Sequence, residues 1–326
     1  MKESKPSDKV TGTLNISKGL DLIGDVHGEF SMLESLLLEM GYMDSPDGWG
    51  HPEGRIAGFI GDLIDRGPDS YEVYRLVRKM VERGSAVAVM GNHELNAVFY
   101  HTRSEGSRDY LRRHTDANCC QHKETLDSFR EHGADIGEFV EWVKTLPFTL
   151  ELGNLRLVHA AWIESDIEKL GGATLTDPNF LQRAGSKSTE EFAMVERVLK
   201  GIEAKLPDGS FFHDHNGVRR TKARIGWWLD PHRKWKWSEV AIGNDVENAA
   251  GFANLMEVSS FMGKTGDDFL TFFGHYALEG NRPERISSNF ACLDFGCAKG
   301  GPLVAYRYEG ENRIRNEQFI SIAPQK

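Results

Sequence analysis

The sequence predicts an α/β fold, and two observations carry that prediction. Three times between residues 19 and 100, a short apolar run is followed by a glycine-containing polar motif and then by a segment with helical periodicity. Apolar strands that alternate with helices are typical of parallel sheets whose strands are buried on both faces. Of the 326 residues, 40% are hydrophobic and 27% are charged, a balance typical of a folded chain and not of a disordered one.

Each of the three repeats supplies a predicted strand. The strand GLDLIGD precedes the helix SMLESLLLEM, and the strand RIAGFIGD precedes the helix YEVYRLVRKMVERG. Four apolar residues share one face of the first helix: Leu33, Leu36, Leu37 and Met40. Asp69 or Ser70 can cap the second helix, and Gly84 follows its end. The third repeat is SAVAVMGNHE followed by LNAVFY.

The rest of the chain is less regular. Residues 123–146 have helical periodicity with a break near Gly133, and NLRLVHAA is a strand that ends in a histidine. A further helix is predicted over residues 189–206, and three late strands are predicted at FLTFFGHYA, NFACLDFG and LVAYRYEG. No fixed-period repeat or low-complexity linker divides the chain. We therefore expect a flexible lead-in at residues 1–17 and one domain over residues 18–326.

Charge and cysteine content exclude several classes of protein. The chain has 39 basic and 49 acidic residues, and the net charge of −10 argues against bulk electrostatic binding to nucleic acid or anionic membranes. Its four cysteines include no CxxC pair, and we expect buried or incidental thiols in a reducing cytosol. The N-terminal segment is polar, and no apolar run approaches the ~20 residues of a membrane span. The sequence therefore predicts a soluble, cytoplasmic protein.

Polar motifs stand at the ends of the first two predicted strands. Asp25 and His27, in GDVHG, can chelate one cation, although an Asp-x-His pair also arises by chance. Asp62, in GDLIDRG, occupies the same place on the next strand and can bridge two cations. Arg66 follows it with a planar guanidinium that suits a phosphoryl group, the alternative being a solvated Asp–Arg pair in a loop. Carboxyl ends of neighbouring parallel strands share one sheet edge, so we expect these motifs to meet there.

A third motif and two later histidines extend the set. Asn92, in GNHE, offers a neutral metal ligand, and the neighbouring His93 can give up a proton near neutral pH. His159 and His275 each follow an apolar strand, as metal ligands on a sheet edge should. A single histidine after a strand is more often structural, and that alternative applies to each of these two alone. Together with the earlier motifs, the pattern favours metal ligation.

The three motifs and the two later histidines resemble the calcineurin-like metallophosphoesterase superfamily. The DRG and GNHE forms resemble its branch of serine/threonine protein phosphatases and bacterial diadenosine tetraphosphatases. The motifs follow one another at spacings of 37 and 30 residues, which makes them specific as a set. The resemblance is dense over residues 21–96 and thin over residues 155–160 and 270–277.

The resemblance implies a fold and a role for each motif residue. The fold would be a central β-sandwich flanked by helices, with the site at the strand ends. The first metal ion would be held by Asp25, His27 and Asp62. The second would be held by Asp62, Asn92, His159 and His275. Phosphate would be contacted by Arg66, Asn92 and His93, with His93 as the general acid and Asp65 orienting it.

This donor set predicts the cofactors and the reaction. Ligands without thiolates suit two ions of Mn²⁺, with Fe or Zn²⁺ as alternatives. Such ions clamp a phosphoryl displacement and turn a bridging water into the attacking hydroxide. The predicted function is hydrolysis of phosphomonoesters, on phosphoserine, phosphothreonine or phosphotyrosine of a protein. The alternatives are a hydrolase of nucleotides or dinucleoside polyphosphates, and a binding scaffold without catalysis.

The second half of the chain departs from the protein-phosphatase pattern. Those enzymes carry a further phosphate-binding arginine in an Asn-Asp-Arg-Gly run, which this sequence lacks. Arg219, Arg220 and Arg224 are candidates by position, with a solvated basic turn as the alternative. We expect residues 165–265, approximately, to form a cap-like insertion that shapes the substrate cleft.

Other aromatic and histidine side chains have two interpretations each. Four tryptophans can stack a nucleobase or form the core of the insertion: Trp227, Trp228, Trp235 and Trp237. His213 and His215 can bind a metal or lie in a surface loop. The scattered histidines receive no predicted role: His51, His101, His114, His122, His132 and His232.

Overall fold

The first three strands are neighbours on one side of a five-stranded sheet. A computed structural model describes residues 16–46, 48–213, 219–242, 252–262, 268–280 and 282–324. Its first elements are β1 (Leu20–Ile23), α1 (Phe30–Glu39), β2 (Ile56–Phe59), α2 (Ser70–Arg83), β3 (Ala86–Ala88) and α3 (Asn92–His101). Strands β1, β2 and β3 are parallel neighbours, as the three repeats predict. All but the last two residues of the predicted lead-in lie outside the described residues.

The two ends of α2 agree in part with the capping residues predicted from the sequence. Gly84 adopts a left-handed conformation (φ 79°) directly after the helix, as predicted. Asp69 is the residue before the helix, but its side chain forms no capping hydrogen bond. The hydroxyl of Ser70 instead accepts a hydrogen bond from the Asp65 backbone N–H (3.2 Å), so it supports the preceding motif loop.

The middle of the chain is mostly helical. Its elements are α4 (Asp116–Glu131), α5 (Ile136–Lys144), β4 (Thr149–Leu152), β5 (Leu155–Val158), α6 (Glu164–Leu170), α7 (Pro178–Ala184) and α8 (Glu190–Lys200). The predicted break near Gly133 separates α4 from α5, and the strand before His159 is β5. The helix predicted over residues 189–206 is wrong after Lys200. Gly201 adopts φ 79° and ends the helix, and the alternating buried and exposed side chains that follow form a strand.

The last third of the chain contains short strands and then returns to the large sheets. Its elements are β6 (Ile202–Lys205), β7 (Phe212–His213), β8 (Arg219–Arg220), β9 (Lys222–Ile225), β10 (Trp235–Lys236), α9 (Trp237–Val240), β11 (Phe252–Ala253), β12 (Leu270–Phe273), β13 (Phe290–Cys292), β14 (Leu303–Tyr308) and β15 (Phe319–Ile322). Short 3-10 helices accompany them at Leu255–Phe261, Cys297–Lys299 and Asn316–Gln318. The three late strands predicted from the sequence are β12, β13 and β14.

Two sheets pack face to face, which agrees with the sandwich that the resemblance implies. The strand orders are β15-β14-β1-β2-β3 and β13-β12-β5-β4. Apolar side chains of both sheets fill one core, and the rings of Phe272 and Tyr306 meet across it at 4.8 Å. Helices α1 and α2 cover the outer face of the first sheet with a second apolar core. Within the described residues, no helix combines the length and apolarity that a membrane crossing needs.

The tryptophans of residues 227–237 mainly serve packing. Trp227 and Trp237 are buried, and the Trp227 ring lies 5.2 Å from those of both Phe273 and Phe290. Trp228 stacks on Phe273 at 4.9 Å. The core interpretation therefore holds for these three side chains. Trp235 instead lies under the Arg233 guanidinium, 4.0 Å from its ring centre.

Candidate metal centre and active site

The three motif loops are joined to one another by main-chain hydrogen bonds. The Val26 and His27 N–H groups donate to Asp62 O at 3.0 and 2.8 Å, and Gly67 N–H donates to His27 O at 2.8 Å. The buried carboxylate of Glu94 accepts from Asp62 N–H (2.8 Å), Leu63 N–H (2.9 Å) and Gly91 N–H (3.0 Å). These bonds hold the ends of β1, β2 and β3 in register, as expected for neighbouring strand ends.

The backbone is strained where the site residues converge. The non-glycine residues with positive φ in the described chain are His27, Asp62, Asp65, Arg66, His275 and Ala277. Their φ values lie between 44° and 73°, in the left-handed region that costs a non-glycine residue of order 1–3 kcal/mol. Five of the six are residues to which the sequence analysis gives a role. Strain of this kind clusters at functional sites, where surrounding bonds hold it.

Asp62 lies between two groups of donor atoms. Its Oδ2 is 3.5 Å from His27 Nε2, and its Oδ1 is 3.4 Å from His159 Nε2. Oδ1 also accepts a hydrogen bond from the His93 backbone N–H at 2.9 Å. All of these side chains are buried, so the two oxygens of one carboxylate face two separate sets of buried nitrogens.

The first donor group contains Asp25 and His27. Asp25 Oδ2 lies 4.0 Å from His27 Nε2 and accepts from the His275 backbone N–H at 3.1 Å. The His27 ring is oriented by a 3.0 Å bond between its Nδ1 and Ile64 O. Asp25 Oδ1 and His27 Nε2 are buried and have no hydrogen-bond partner. Buried polar atoms without a partner are costly, and a cation between them would satisfy both.

The second donor group contains Asn92, His159 and His275. Asn92 Oδ1 lies 3.1 Å from His159 Nε2 and 2.5 Å from His275 Nδ1. A 2.8 Å bond from Nδ1 to Ile60 O fixes the His159 ring. A side chain on Gly274 would overlap Asp25 Oδ1, which shows how closely the two groups approach. The structure thus brings all six predicted ligands into one cluster.

The electrostatics of the cluster suit cations. Burial, together with the charges of Asp294 and Asp62, raises the pKa of Asp25 well above its usual value. Burial lowers the pKa of His27 to about 3, which leaves the imidazole neutral with a free lone pair. Crowded carboxylates and neutral imidazoles are the form in which protein side chains bind metals. Oxygen and nitrogen donors without a thiolate fit Mn²⁺, Fe or Zn²⁺.

His93 lies beside the cluster and contacts two other motif residues. Its Nδ1 is 2.7 Å from Asp65 Oδ2, and its Nε2 is 3.5 Å from Arg66 Nη2. Burial lowers the pKa of His93, but the Asp62 and Asp65 carboxylates outweigh it and raise the pKa above its ordinary value. His93 Nε2 also lies 3.9 Å from Asp62 Oδ2, so atoms of His27, Asp62 and His93 converge as well. The same is true of Asp62, His159 and His275.

Asp65 has a second histidine partner that the sequence analysis missed. Its Oδ1 is 2.8 Å from His122 Nδ1 and accepts a 2.6 Å hydrogen bond from the Thr125 hydroxyl. His122 received no predicted role because it lies 57 residues from Asp65 in the chain. The available signal was the three-residue spacing of His122, Thr125 and Ser128, which places three polar side chains on one helix face.

Two further cations interact electrostatically with residues of the site. Arg224 Nε is buried and has no hydrogen-bond partner. Burial is the largest cause that lowers the pKa of His275, and the positive charge of Arg224 is the second. Lys299 lies near Ala277. The Cβ atoms of both residues are within 3.8 Å of the position that a Cβ atom on Gly296 would occupy. Burial lowers the pKa of Lys299, and the charges of Arg66 and Arg224 lower it further. The Asp294 carboxylate acts in the opposite direction and raises it, but the pKa remains below its ordinary value.

The other positional candidates lie elsewhere or cannot be placed. Arg219 is exposed and lies 4.3 Å from the Phe211 ring centre, and Arg220 is exposed next to it. Arg224 is therefore the one of the three arginines whose charge acts on the cluster. His213 is exposed, which agrees with a surface position, and His215 lies outside the described residues.

The chain is similar to known proteins. A family model described as calcineurin-like phosphoesterase matches residues 20–240. An asymmetrical bis(5'-nucleosyl)-tetraphosphatase PrpE of Halalkalibacterium halodurans is 49% identical over 73 residues, which are 22% of this chain and 30% of that protein. A symmetrical bis(5'-nucleosyl)-tetraphosphatase of Ralstonia nicotianae is 28% identical over 309 residues, covering 87% of each chain.

The chain was also compared with solved structures. The cold-active protein-tyrosine phosphatase of a psychrophilic Shewanella species superimposes with a TM-score of 0.46 at 15% identity, over 90% of this chain and 78% of that one. The chain spans less than a third of the length of the PrpE relative and most of the length of the symmetrical one.

Proposed function

Because the chain belongs to the calcineurin-like phosphoesterase family, we propose that it is a metal-dependent hydrolase of phosphoric esters. The observation that carries the proposal is the position of Asp62, whose two oxygens face two groups of buried donors. Asp25, His27 and Asp62 would hold one ion, and Asp62, Asn92, His159 and His275 a second. When bound, such ions supply an activated water and stabilise charge on the phosphoryl group.

The remaining motif residues would bind the phosphate and move a proton. Arg66 is exposed beside His93, where its planar guanidinium can bind two phosphate oxygens, with the Asn92 amide as a further contact. His93 would donate the proton on Nε2 to the leaving oxygen, because its Nδ1 is engaged by Asp65. Asp65 would orient the imidazole and stabilise its positive charge.

The number of cations near the site bears on the class of substrate. The motifs alone favour a phosphomonoester on a phosphoprotein, which needs one phosphate clamp. Arg224, whose buried Nε has no hydrogen-bond partner, and Lys299 add two positive charges near the motif residues. Three cations favour a substrate with more than one phosphate. Together with the names of the relatives, this supports nucleotides or dinucleoside polyphosphates as the second candidate class.

One experiment tests the function and separates the substrate classes. Metal-free protein is supplemented with Mn²⁺ and assayed against phosphoserine, phosphothreonine and phosphotyrosine peptides, ATP and diadenosine tetraphosphate. Turnover that depends on added metal supports the hydrolase, and the preferred substrate identifies the class. If metal binds without turnover of any phosphate compound, the chain is a binding scaffold. The predicted cytoplasmic location stays a prediction.

A further inference from the structure

Helix α4 has an unusual buried face. His122, Thr125 and Ser128 lie on it at three-residue spacing, and each is at least 96% buried. Buried faces of helices are ordinarily apolar, and buried polar groups need partners. All three side chains find their partners in residues 65–71, the segment that follows Asp62. Ser128 Oγ accepts from the Tyr71 backbone N–H at 3.1 Å.

Asp65 is the centre of these contacts. His122 Nδ1 (2.8 Å) and the Thr125 hydroxyl (2.6 Å) engage its Oδ1, while His93 Nδ1 (2.7 Å) engages its Oδ2. The Asp65 backbone N–H is held as well, by the hydroxyls of Ser70 and Thr125. Burial would raise the pKa of Asp65, but the bonds from His122 and His93 outweigh it and hold the pKa well below its usual value. The carboxylate is therefore ionised and cannot rotate freely.

Both ring nitrogens of His122 have partners. Nδ1 carries the proton that is donated to the Asp65 carboxylate. Nε2 lies 3.3 Å from His101 Nε2, so the ring is held from both sides. His101 stands at the end of α3, whose first turn carries His93. The chain of contacts thus runs from one end of α3 through α4 and Asp65 to the other end of α3.

We propose that His122 is a positioning residue for the proton donor. By donating its Nδ1–H to Asp65 Oδ1, it holds the carboxylate so that Oδ2 receives the Nδ1–H of His93. The Nε2–H of His93 is then directed at the leaving oxygen of the substrate. The inference rests on the proposed function, in which His93 supplies that proton.

The test compares two variants of His122 on two esters. His122→Leu removes the donor, and we expect kcat on a phosphoserine peptide to fall about tenfold, the low end of what loss of a supporting hydrogen bond to a functional imidazole costs. The fall on p-nitrophenyl phosphate should be at most twofold, because that leaving group needs little protonation. KM and metal content should not change. His122→Asn should recover most of the loss, since its amide nitrogen can stand near the position of Nδ1.

His132→Asn is the matched control. His132 lies at the end of the same helix and contacts Ser128 O and Glu72, not Asp65. It should behave as the unmodified protein on both esters. Thr125→Val removes the other donor to Oδ1 and should repeat the His122→Leu pattern in weaker form, which keeps the test open if His122→Leu does not fold.

A double variant distinguishes positioning from a structural role. If His122 acts through Asp65, His122→Leu should cost little further kcat in an Asp65→Asn background, because coupled residues are not additive. An equal loss in both backgrounds, or equal losses on both esters, would overturn the positioning role. The proton-donor role of His93 fails separately if His93→Asn itself slows both esters equally, and the proposed function fails if the unmodified protein with Mn²⁺ hydrolyses neither ester.

Discussion

At the scale of single residues, the site depends on backbone conformations that non-glycine residues rarely adopt. His27, Asp62 and His275 all have positive φ, and each contributes to the donor cluster. The cost is of order 1–3 kcal/mol at each position, so the surrounding main-chain hydrogen bonds must offset it. Replacing any of these residues therefore changes the strain as well as the donor.

The role of His93 is tested by its dependence on the leaving group. We expect His93→Asn to lower kcat on a phosphoserine peptide by roughly 10²–10⁴, the usual contribution of a positioned acid. The loss on p-nitrophenyl phosphate should be clearly smaller, and metal content should stay constant. Steady-state kinetics with metal analysis measures all three. Loss of metal would instead identify His93 as a ligand, a role that its 3.9 Å distance from Asp62 Oδ2 allows.

Lys299 and Arg66 should differ in which substrates they affect. We expect Lys299→Met to lower kcat/KM for diadenosine tetraphosphate about tenfold, as loss of one charged hydrogen bond would, and for p-nitrophenyl phosphate by less than twofold. Arg66→Ala should raise KM for both substrates, because it would bind the phosphate that reacts. Lys144→Met is the control, since Lys144 pairs with Glu141 on α5. Equal effects of Lys299→Met on both substrates would contradict a contact with a second phosphate.

At the scale of elements, the site residues that can be predicted from the sequence are those that follow strands directly. Five predicted ligands stand just beyond strand ends: Asp25, Asp62, Asn92, His159 and His275. For the first three, which follow strands of the first sheet, strand prediction alone indicates one shared edge. The contact between His122 and Asp65 could not be predicted in this way. It joins a helix to a loop across 57 residues, and no local pattern encodes the packing of one on the other.

Errors in predicted elements have equally local causes. The helix predicted over residues 189–206 continues the periodicity of α8 past Gly201, where positive φ ends the helix. The four residues after it alternate between buried and exposed positions, and pairing with β9 makes them a strand. Helical periodicity in so short a segment does not exclude a strand, and tertiary pairing decides.

The end of α3 should be sensitive to acid. Burial, with the neighbouring His122 and His114, lowers the pKa of His101 from 6.5 to about 4. Between those two pH values the unfolded chain binds a proton that the folded chain does not, so stability falls as the pH falls. We expect metal-free protein to lose less unfolding free energy between pH 7 and pH 5 when it carries His101→Gln. Urea titrations at both pH values measure this, and an unchanged or larger loss would contradict the assigned environment.

At the scale of the molecule, the donor cluster joins the two sheets. Asp25, His27, Asp62 and Asn92 follow strands of the first sheet, whereas His159 and His275 follow strands of the second. The cluster therefore forms only when the sandwich is assembled. We also propose that residues 165–265 act as a cap on a single domain over residues 18–326, because Trp227 and Trp228 pack directly on Phe273 of the second sheet.

Metal binding should stabilise this assembly. A ligand that binds the folded chain alone stabilises it by about 2.7 kcal/mol at a concentration of one hundred times its Kd. We expect Mn²⁺ to raise the unfolding midpoint of metal-free protein, and a chelator to reverse the shift and abolish turnover together. Calorimetry and activity assays on the same samples measure both. Full activity in protein that elemental analysis finds free of metal would be incompatible with this account.

The central claim is that Asp62 bridges two metal ions, and metal stoichiometry after reconstitution tests it most directly. We expect two Mn²⁺ per chain in the unmodified protein and one in His27→Ala, which loses a donor of one group only. Asp62→Asn should lose ions from both groups and most of the activity, because its two carboxylate oxygens face both sets of nitrogens. An Asp62→Asn protein that keeps two ions per chain and a near-normal rate would contradict the claim.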